Sequence, residues 1–307
     1  MHLISVKTPC ILIAGGYNYK KDGIQSSLNS VEVISKCFKK AKSTLPKLPK
    51  EISKCKISTK CSMFIHDGAL MVFGNTGNCC SDCKAPWKCF QFKNGTWSEH
   101  STLNRNRSCA ATVATDKGTF IFGGNLSRKS YEYLPIGSDK WKNGDGLHDN
   151  FIYGCAIEVK SKQEIWLIGG ITRRILSFNI NSQTSQELPF KLRYQREYAA
   201  CAYTPGTSKI IVTGGITNCK HQKSCEIIDT ESGTVTMASP MNRRRCSHGM
   251  GIIKFNGEER LAVFGGTQGL AGLHDSIELY NIKTDKWEMV KGLKLNGTRS
   301  GFGFVNI

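Results

Sequence analysis

One feature constrains this chain more than any other: an apolar, β-branched run that ends in a glycine pair and returns six times. The runs are ILIAGGY (Gly15, Gly16), LMVFGNT (Gly74, Asn75), TFIFGGN (Gly123, Gly124), IWLIGGI (Gly169, Gly170), IIVTGGI (Gly214, Gly215) and LAVFGGT (Gly265, Gly266). The intervals between first glycines are 59, 49, 46, 45 and 51 residues. Self-similarity at such a period marks a repeat architecture, with one supersecondary unit per repeat.

The rest of each unit reads as three further strands. A strand with small residues precedes the glycine run: KCSMFI, RSCAATV, YGCAIEV, REYAACAY, RCSHGMGII and RSGFGFV. A third strand follows it: SVEVIS, KCFQF, SYEYL, ILSFNI, SCEIID or SIELYNI. A last strand often carries tryptophan, at Trp97, Trp141 and Trp287. Turn signals such as Asn94-Gly95 and Thr284-Asp285 separate these strands.

The first glycine run starts near residue 11, with no opening strand ahead of it; that strand stands instead at Arg299–Val305. The expected fold is therefore all-β: six four-stranded blades in a ring, closed when the C-terminal strand joins the first blade. Closure removes the lateral sheet edges. The glycine-pair strands are placed at 11–16, 70–75, 119–124, 165–170, 210–215 and 261–266, and residues 1–307 are read as one propeller. The six repeats resemble those of kelch-repeat β-propellers, with departures at Gly74-Asn75, in the blades lacking the late tryptophan, and in a lysine-rich insertion in blade 1.

The net charge is +18, from 42 Lys plus Arg against 24 Asp plus Glu, so acidic surfaces are the expected partners. Nine of the lysines fall between Lys36 and Lys60, with Glu51 as the one acid among them. No apolar run reaches the roughly 20 residues that span a bilayer.

Superposing the opening strands puts Lys60, Arg107, Tyr153, Arg196, Arg245 and Arg299 at one phase. One phase in a ring of blades becomes one circle, so these six are the expected ligand-binding residues at a basic channel mouth. In kelch substrate adaptors, arginines in motifs like that at Arg299 reach acidic peptides, and Arg can grip a carboxylate or sulfate bidentately. The competing reading is that these arginines brace blades through backbone carbonyls.

The expected function is non-enzymatic binding of an acidic protein segment or a sulfated or acidic glycan, without cofactor or metal, by a monomer. Nucleic acid is not the expected ligand. The resemblance implies, as alternatives, a substrate adaptor or an actin-associated protein if the chain is intracellular, or an enzyme of the mutarotase or copper-oxidase type. No HExxH or GxSxG motif occurs, and the seven histidines fall at different phases.

Fourteen cysteines divide by phase. Cys61, Cys109, Cys155, Cys201 and Cys246 lie in opening strands as small apolar residues. Cys219 and Cys225 flank a hairpin loop, and Cys79, Cys80, Cys83 and Cys89 crowd the loop of blade 2. These six are the disulfide candidates, preferred over a zinc knuckle. With sequons at Asn94, Asn106, Asn125 and Asn296 they point to a secreted glycoprotein whose leader is absent from the sequence, the cytoplasm being the alternative.

Overall fold

Each glycine-pair strand is buried on both faces, which is why it reads as continuous apolar sequence rather than alternation. In Ile165–Ile168 no side chain is more than 1% exposed. That pattern needs a sheet on either side. The computed structural model supplies it, describing residues 11–19, 25–34, 45–49, 61–74, 87–269 and 272–306.

Six antiparallel sheets stand around an axis. Blade 2 runs from the inside out through Ser62–His66, Ala69–Gly74, Lys88–Lys93 and Thr96–Thr102. Blade 3 comprises Ala111–Ala114, Gly118–Phe122, Ser130–Pro135 and Lys142–Asp145. Blade 4 comprises Gly154–Val159, Glu164–Gly169, Arg174–Asn179 and Ser185–Lys191. Blade 5 comprises Ala200–Tyr203, Lys209–Thr213, Cys225–Asp229 and Val235–Ala238. Blade 6 comprises Gly249–Phe255, Glu258–Phe264, Ser276–Asn281 and Lys286–Lys294.

Blade 1 is built from both ends of the chain. Its inner strand is Gly303–Asn306, paired with Ile11–Ala14 in the register Val305↔Leu12, and Val31–Ile34 follows outside. The closure expected from the sequence is present. The inner strands touch in a complete circuit, blade 6 meeting blade 1 and blade 1 meeting blade 2.

The apolar core is six separate seams, one between each pair of neighbouring blades. Phe120, Phe122, Leu167 and Phe178 fill the seam of blades 3 and 4, for example, and Trp166, Ile168, Ile210 and Val212 that of blades 4 and 5. The late tryptophans stitch the outer rim. Trp97 Nε1 donates to Pro46 O at 3.2 Å, Trp141 Nε1 to Ser101 Oγ at 3.0 Å and Trp287 Nε1 to Ser239 O at 3.0 Å. Asn94 and Gly95 have φ of 51° and 80°, the left-handed pair that a two-residue hairpin turn needs.

The glycine pairs set the distance between blades. At Gly214 (φ +60°) a Cβ would lie 2.2 Å from the carbonyl oxygen of Arg245 in the next blade, and the N–H of Gly215 donates to that same oxygen at 2.8 Å. Gly206 has a similar φ of +70° but open space around it. Gly206→Ala is expected to cost only the left-handed backbone term, about 1 kcal/mol. Gly214→Ala adds a backbone clash and is expected to cost about 3 kcal/mol or more. Urea unfolding of the two variants checks this, and equal costs would remove the close approach as the reason for the pair.

Candidate functional site

Arg107, Arg196, Arg245 and Arg299 each stand four residues ahead of the inner-strand residue that pairs next to the first glycine: Ala111, Ala200, Gly249 and Gly303. They share a phase, as the sequence indicated. Their side chains do not line a mouth. None is more than 2% exposed, and each guanidinium runs into its own blade. Arg107 donates through Nε to Glu132 Oε1 at 2.7 Å, through Nη1 to Gly123 O and Ser130 O, and through Nη2 to Ser130 Oγ at 2.9 Å. Arg196 repeats the set with Glu226, Gly214 and Ser224, and Arg245 with Glu278, Gly265 and Ser276. Arg299 binds Glu32, Ser30 Oγ at 2.9 Å and Gly15 O at 3.4 Å, while its Nε finds no partner among the described residues.

The expected cationic ring is therefore corrected to four buried braces. Burial pulls the guanidinium pKa of Arg107, Arg245 and Arg299 below the usual value, and the facing glutamates oppose that shift. With these donors engaged inside the blade, the guanidinium groups are not presented to a ligand.

Tyr153 is also corrected, because it lies two positions out of phase. Cys155 pairs with Ile168 beside Gly169, so the residue four ahead of it, Phe151, takes the arginine's place. Leu176, paired with Leu167, takes the place of the glutamate. Phe151 and Leu176 lie in one apolar cluster, so blade 4 has exchanged both members of the ion pair together. Lys60 lies outside the described residues.

What circles the axis at this end is backbone. Tyr153 N–H donates to Cys109 O (3.2 Å), Tyr198 N–H to Tyr153 O (2.6 Å), Ser247 N–H to Tyr198 O (2.9 Å), Gly301 N–H to Ser247 O (3.1 Å) and Cys61 N–H to Gly301 O (3.2 Å). Cys109, Tyr153, Tyr198 and Ser247 take positive φ, from 49° to 62°, to make this belt. The Tyr153 and Tyr198 rings pack in a tilted arrangement, 4.5 Å between centroids and 32° between planes, and burial beside Cys109 raises the Tyr198 phenol pKa. Past the belt lies a channel cavity of about 240 Å³, lined by small residues of the inner strands together with Cys61, Cys155, Cys201 and His248. His248 Nε2 is hydrogen-bonded to Thr213 Oγ1 at 2.8 Å.

The exposed cations stand one step outward, in the loops at the glycine end of the blades. Arg128 and Lys129 follow the glycine pair of blade 3; Arg173 and Arg174 follow that of blade 4. Arg193 enters blade 5, Lys220 and Lys223 lie in its loop, and Arg243 and Arg244 enter blade 6. Arg174 is paired with Asp149 and Glu187. The others form no ion pair among the described residues. The loops also touch: Arg173 Nη1 donates to Arg193 O at 3.4 Å and Arg244 Nη1 to His221 O at 2.9 Å. Part of this arc was readable in the sequence as arginine one to three residues ahead of a brace, at Arg193, Arg243 and Arg244.

The cysteine expectations divide. Cys219 is exposed, whereas Cys225 is buried in its strand with its thiol pKa pushed up to about 12 by burial, and both thiols are free. Cys225 packs into the seam with blade 6, so the two do not bridge the loop. Cys89 belongs to the third strand of blade 2 opposite Phe73, buried and free, rather than to a loop. Cys79, Cys80 and Cys83 lie outside the described residues.

No family model matches the chain. Kelch-like protein 7 of Rattus norvegicus and of Mus musculus are each 35% identical to it over 74 residues, which is 24% of this chain and 12% of each relative. The solved structure of YjhT superposes with a TM-score of 0.62, covering 84% of this chain and 88% of that one at 14% identity, a likeness of fold alone.

Two outcomes test the braces. Arg107→Ala leaves Glu132 buried without its cation and is expected to cost about 3–5 kcal/mol of unfolding free energy. Arg107→Phe with Glu132→Leu, the pair of blade 4, is expected to recover part of that loss. A double-mutant cycle in denaturant reads the coupling, and additive costs would reject the pairing.

His274 gives a pH test. It is 3% exposed, its Nε2–H donates to Arg244 O at 3.1 Å, and its pKa is pushed down to about 4, chiefly by burial and then by Arg245. Between pH 6.5 and 4 the unfolded chain holds a proton that the folded chain does not. Stability from this group is full above about pH 6.5 and falls with pH down to about 4, by at most about 3 kcal/mol. His274→Gln is expected to flatten that part of the stability–pH curve relative to wild type. Parallel curves would exclude the assignment.

Proposed function

We propose that this chain, a β-propeller similar over 74 residues to kelch-like relatives, is a non-enzymatic interaction module holding an acidic partner on the loop face around the channel mouth. The observation that carries the reading is the arc of exposed, largely unpaired cations from Arg128 to Arg244, on loops that contact one another beside the belt. One sign of charge concentrated on a face raises capture rates for an oppositely charged partner and makes them salt-dependent. Guanidinium groups supply most of the arc, and their planar forks suit carboxylates and sulfates.

The buried arginines have a supporting part in this reading. Their glutamates also accept backbone N–H groups from the exposed loops, so the face is held in one shape before any partner arrives.

The test is binding of a glutamate-rich peptide to the full chain and to a variant carrying Arg173→Ser, Arg193→Ser, Arg243→Ser and Arg244→Ser. Four partly solvated contacts of about 0.5–1 kcal/mol each correspond to a loss of roughly thirty-fold or more. The melting temperature is expected to stay within about 2 °C, as for surface substitutions. Unchanged affinity in the variant, or affinity independent of salt, would sink the proposal.

A further inference from the structure

The loop face also holds two large apolar side chains out into solvent. Leu126, 72% exposed, lies in the loop after the glycine pair of blade 3, and Tyr194, 43% exposed, in the loop entering blade 5. Scattered exposed apolar residues are ordinary. These two are set apart by the fixing of the backbone beneath them and by the charges beside them.

Around Leu126, the N–H of Asn125 donates to Ser108 O at 2.9 Å and that of Ser127 to Gly124 O at 3.1 Å. The adjacent Arg128 and Lys129 are stitched to the loop entering blade 4, their carbonyls accepting from Phe151 N–H at 2.9 Å and from Gly146 N–H at 3.1 Å. At the second position, Arg193 and Tyr194 both donate backbone N–H groups to the buried Glu226, at 2.5 and 3.3 Å. The Tyr194 ring lies 5.9 Å from the Arg196 guanidinium carbon. Each apolar side chain thus projects from an ordered backbone next to exposed arginine, so little backbone ordering remains to oppose binding.

We infer that the partner is an acidic protein segment carrying apolar side chains beside its acidic residues, and not a sulfated glycan; this rests on the acidic-partner reading above. A sulfated glycan offers anions without aliphatic side groups to cover Leu126. An acidic peptide with leucine, isoleucine or an aromatic residue satisfies both elements, with apolar anchors inside a polar, charged rim. Asn125 precedes Leu126 in an Asn-Leu-Ser sequon, so a glycan there would cover the anchor, and glycosylation at Asn125 and partner binding are alternatives.

The experiment selects from a displayed library of short peptides with Asp or Glu fixed at alternate positions and every other position randomised, with immobilised heparin run in parallel. Three chains are compared: wild type, Leu126→Ser with Tyr194→Ser, and Arg193→Ser with Arg243→Ser and Arg244→Ser. Wild type is expected to enrich Leu, Ile, Phe or Tyr several-fold over the input library. The apolar variant is expected to lose that enrichment while still retaining acidic peptides and an unshifted melting temperature, and the charge variant to retain neither. Retention of acidic peptides by wild type with no apolar enrichment overturns this inference and leaves the acidic-partner reading standing. Retention of heparin but not of peptides overturns it in favour of the glycan. Retention of neither overturns the acidic-partner reading itself.

Discussion

The structure depends on a carbonyl oxygen that enters the space left by a missing Cβ. The first glycine of each described pair in blades 3 to 6 faces the backbone oxygen of the next blade's residue at the arginine phase: Phe151, Arg196, Arg245 or Arg299. The N–H of the second glycine donates to that same oxygen, at 2.8 to 3.1 Å. A side chain on the first glycine would push the blades apart, and the bond to the second would be lost. In blades 5, 6 and 1 the residue whose carbonyl is gripped then sends its guanidinium back into its own blade, to a glutamate on the third strand. Its backbone thus fixes it to the preceding blade and its side chain to its own.

That double attachment explains which residues change together. A buried ion pair is a weak source of net stability, but losing one partner is costly because a charge is left buried. Blades 1, 3, 5 and 6 keep both members, as Arg299–Glu32, Arg107–Glu132, Arg196–Glu226 and Arg245–Glu278. Blade 4 keeps neither and packs Phe151 against an apolar cluster containing Leu176. In blade 1 the pair joins residues 267 apart in sequence, so the contact that braces a blade elsewhere also closes the ring. Asn296 N–H donating to Glu32 at 2.9 Å adds to that closure.

The fold was legible because the signals that set it are local and repeated. Glycine runs at a near-constant interval, a surplus strand at Arg299–Val305 and an Asn-Gly turn each admit few structures, and the pairing of the C-terminal strand with Ile11–Ala14 follows from them. The site was less legible, for two physical reasons. Phase fixes where a residue sits on the ring but not which way its side chain points, and a long arginine can turn inward as readily as outward. Tyr153 was misplaced because Tyr-Gly-Cys resembles Arg-Ser-Cys when strands are aligned by composition; only the pairing of Cys155 with Ile168 shows the offset of two. A signal for the inward turn was present nonetheless. Ser-x-Glu opens the third strand at Ser30, Ser130, Ser224 and Ser276, in the four blades that hold the arginine, and is missing from KCFQF and ILSFNI.

The buried pairs and the loops of the exposed arc share carboxylates, so the scaffold and the proposed binding face are not independent. Glu132 accepts the backbone N–H groups of Asn104 and Arg105, Glu226 those of Arg193 and Tyr194, and Glu278 those of Asn242 and Arg243, besides the braces themselves. The loop residue ahead of each brace is therefore held by the same group that neutralises the brace. Removing a buried arginine frees its glutamate to move and loosens the loop that carries an exposed one. Loss of binding after substitution of Arg107, Arg196 or Arg245 would thus arise without any contact between those residues and a partner. Contact is identified at positions such as Arg193 and Arg244, whose side chains can be removed while the carboxylate, its brace and the backbone bonds between them stay in place.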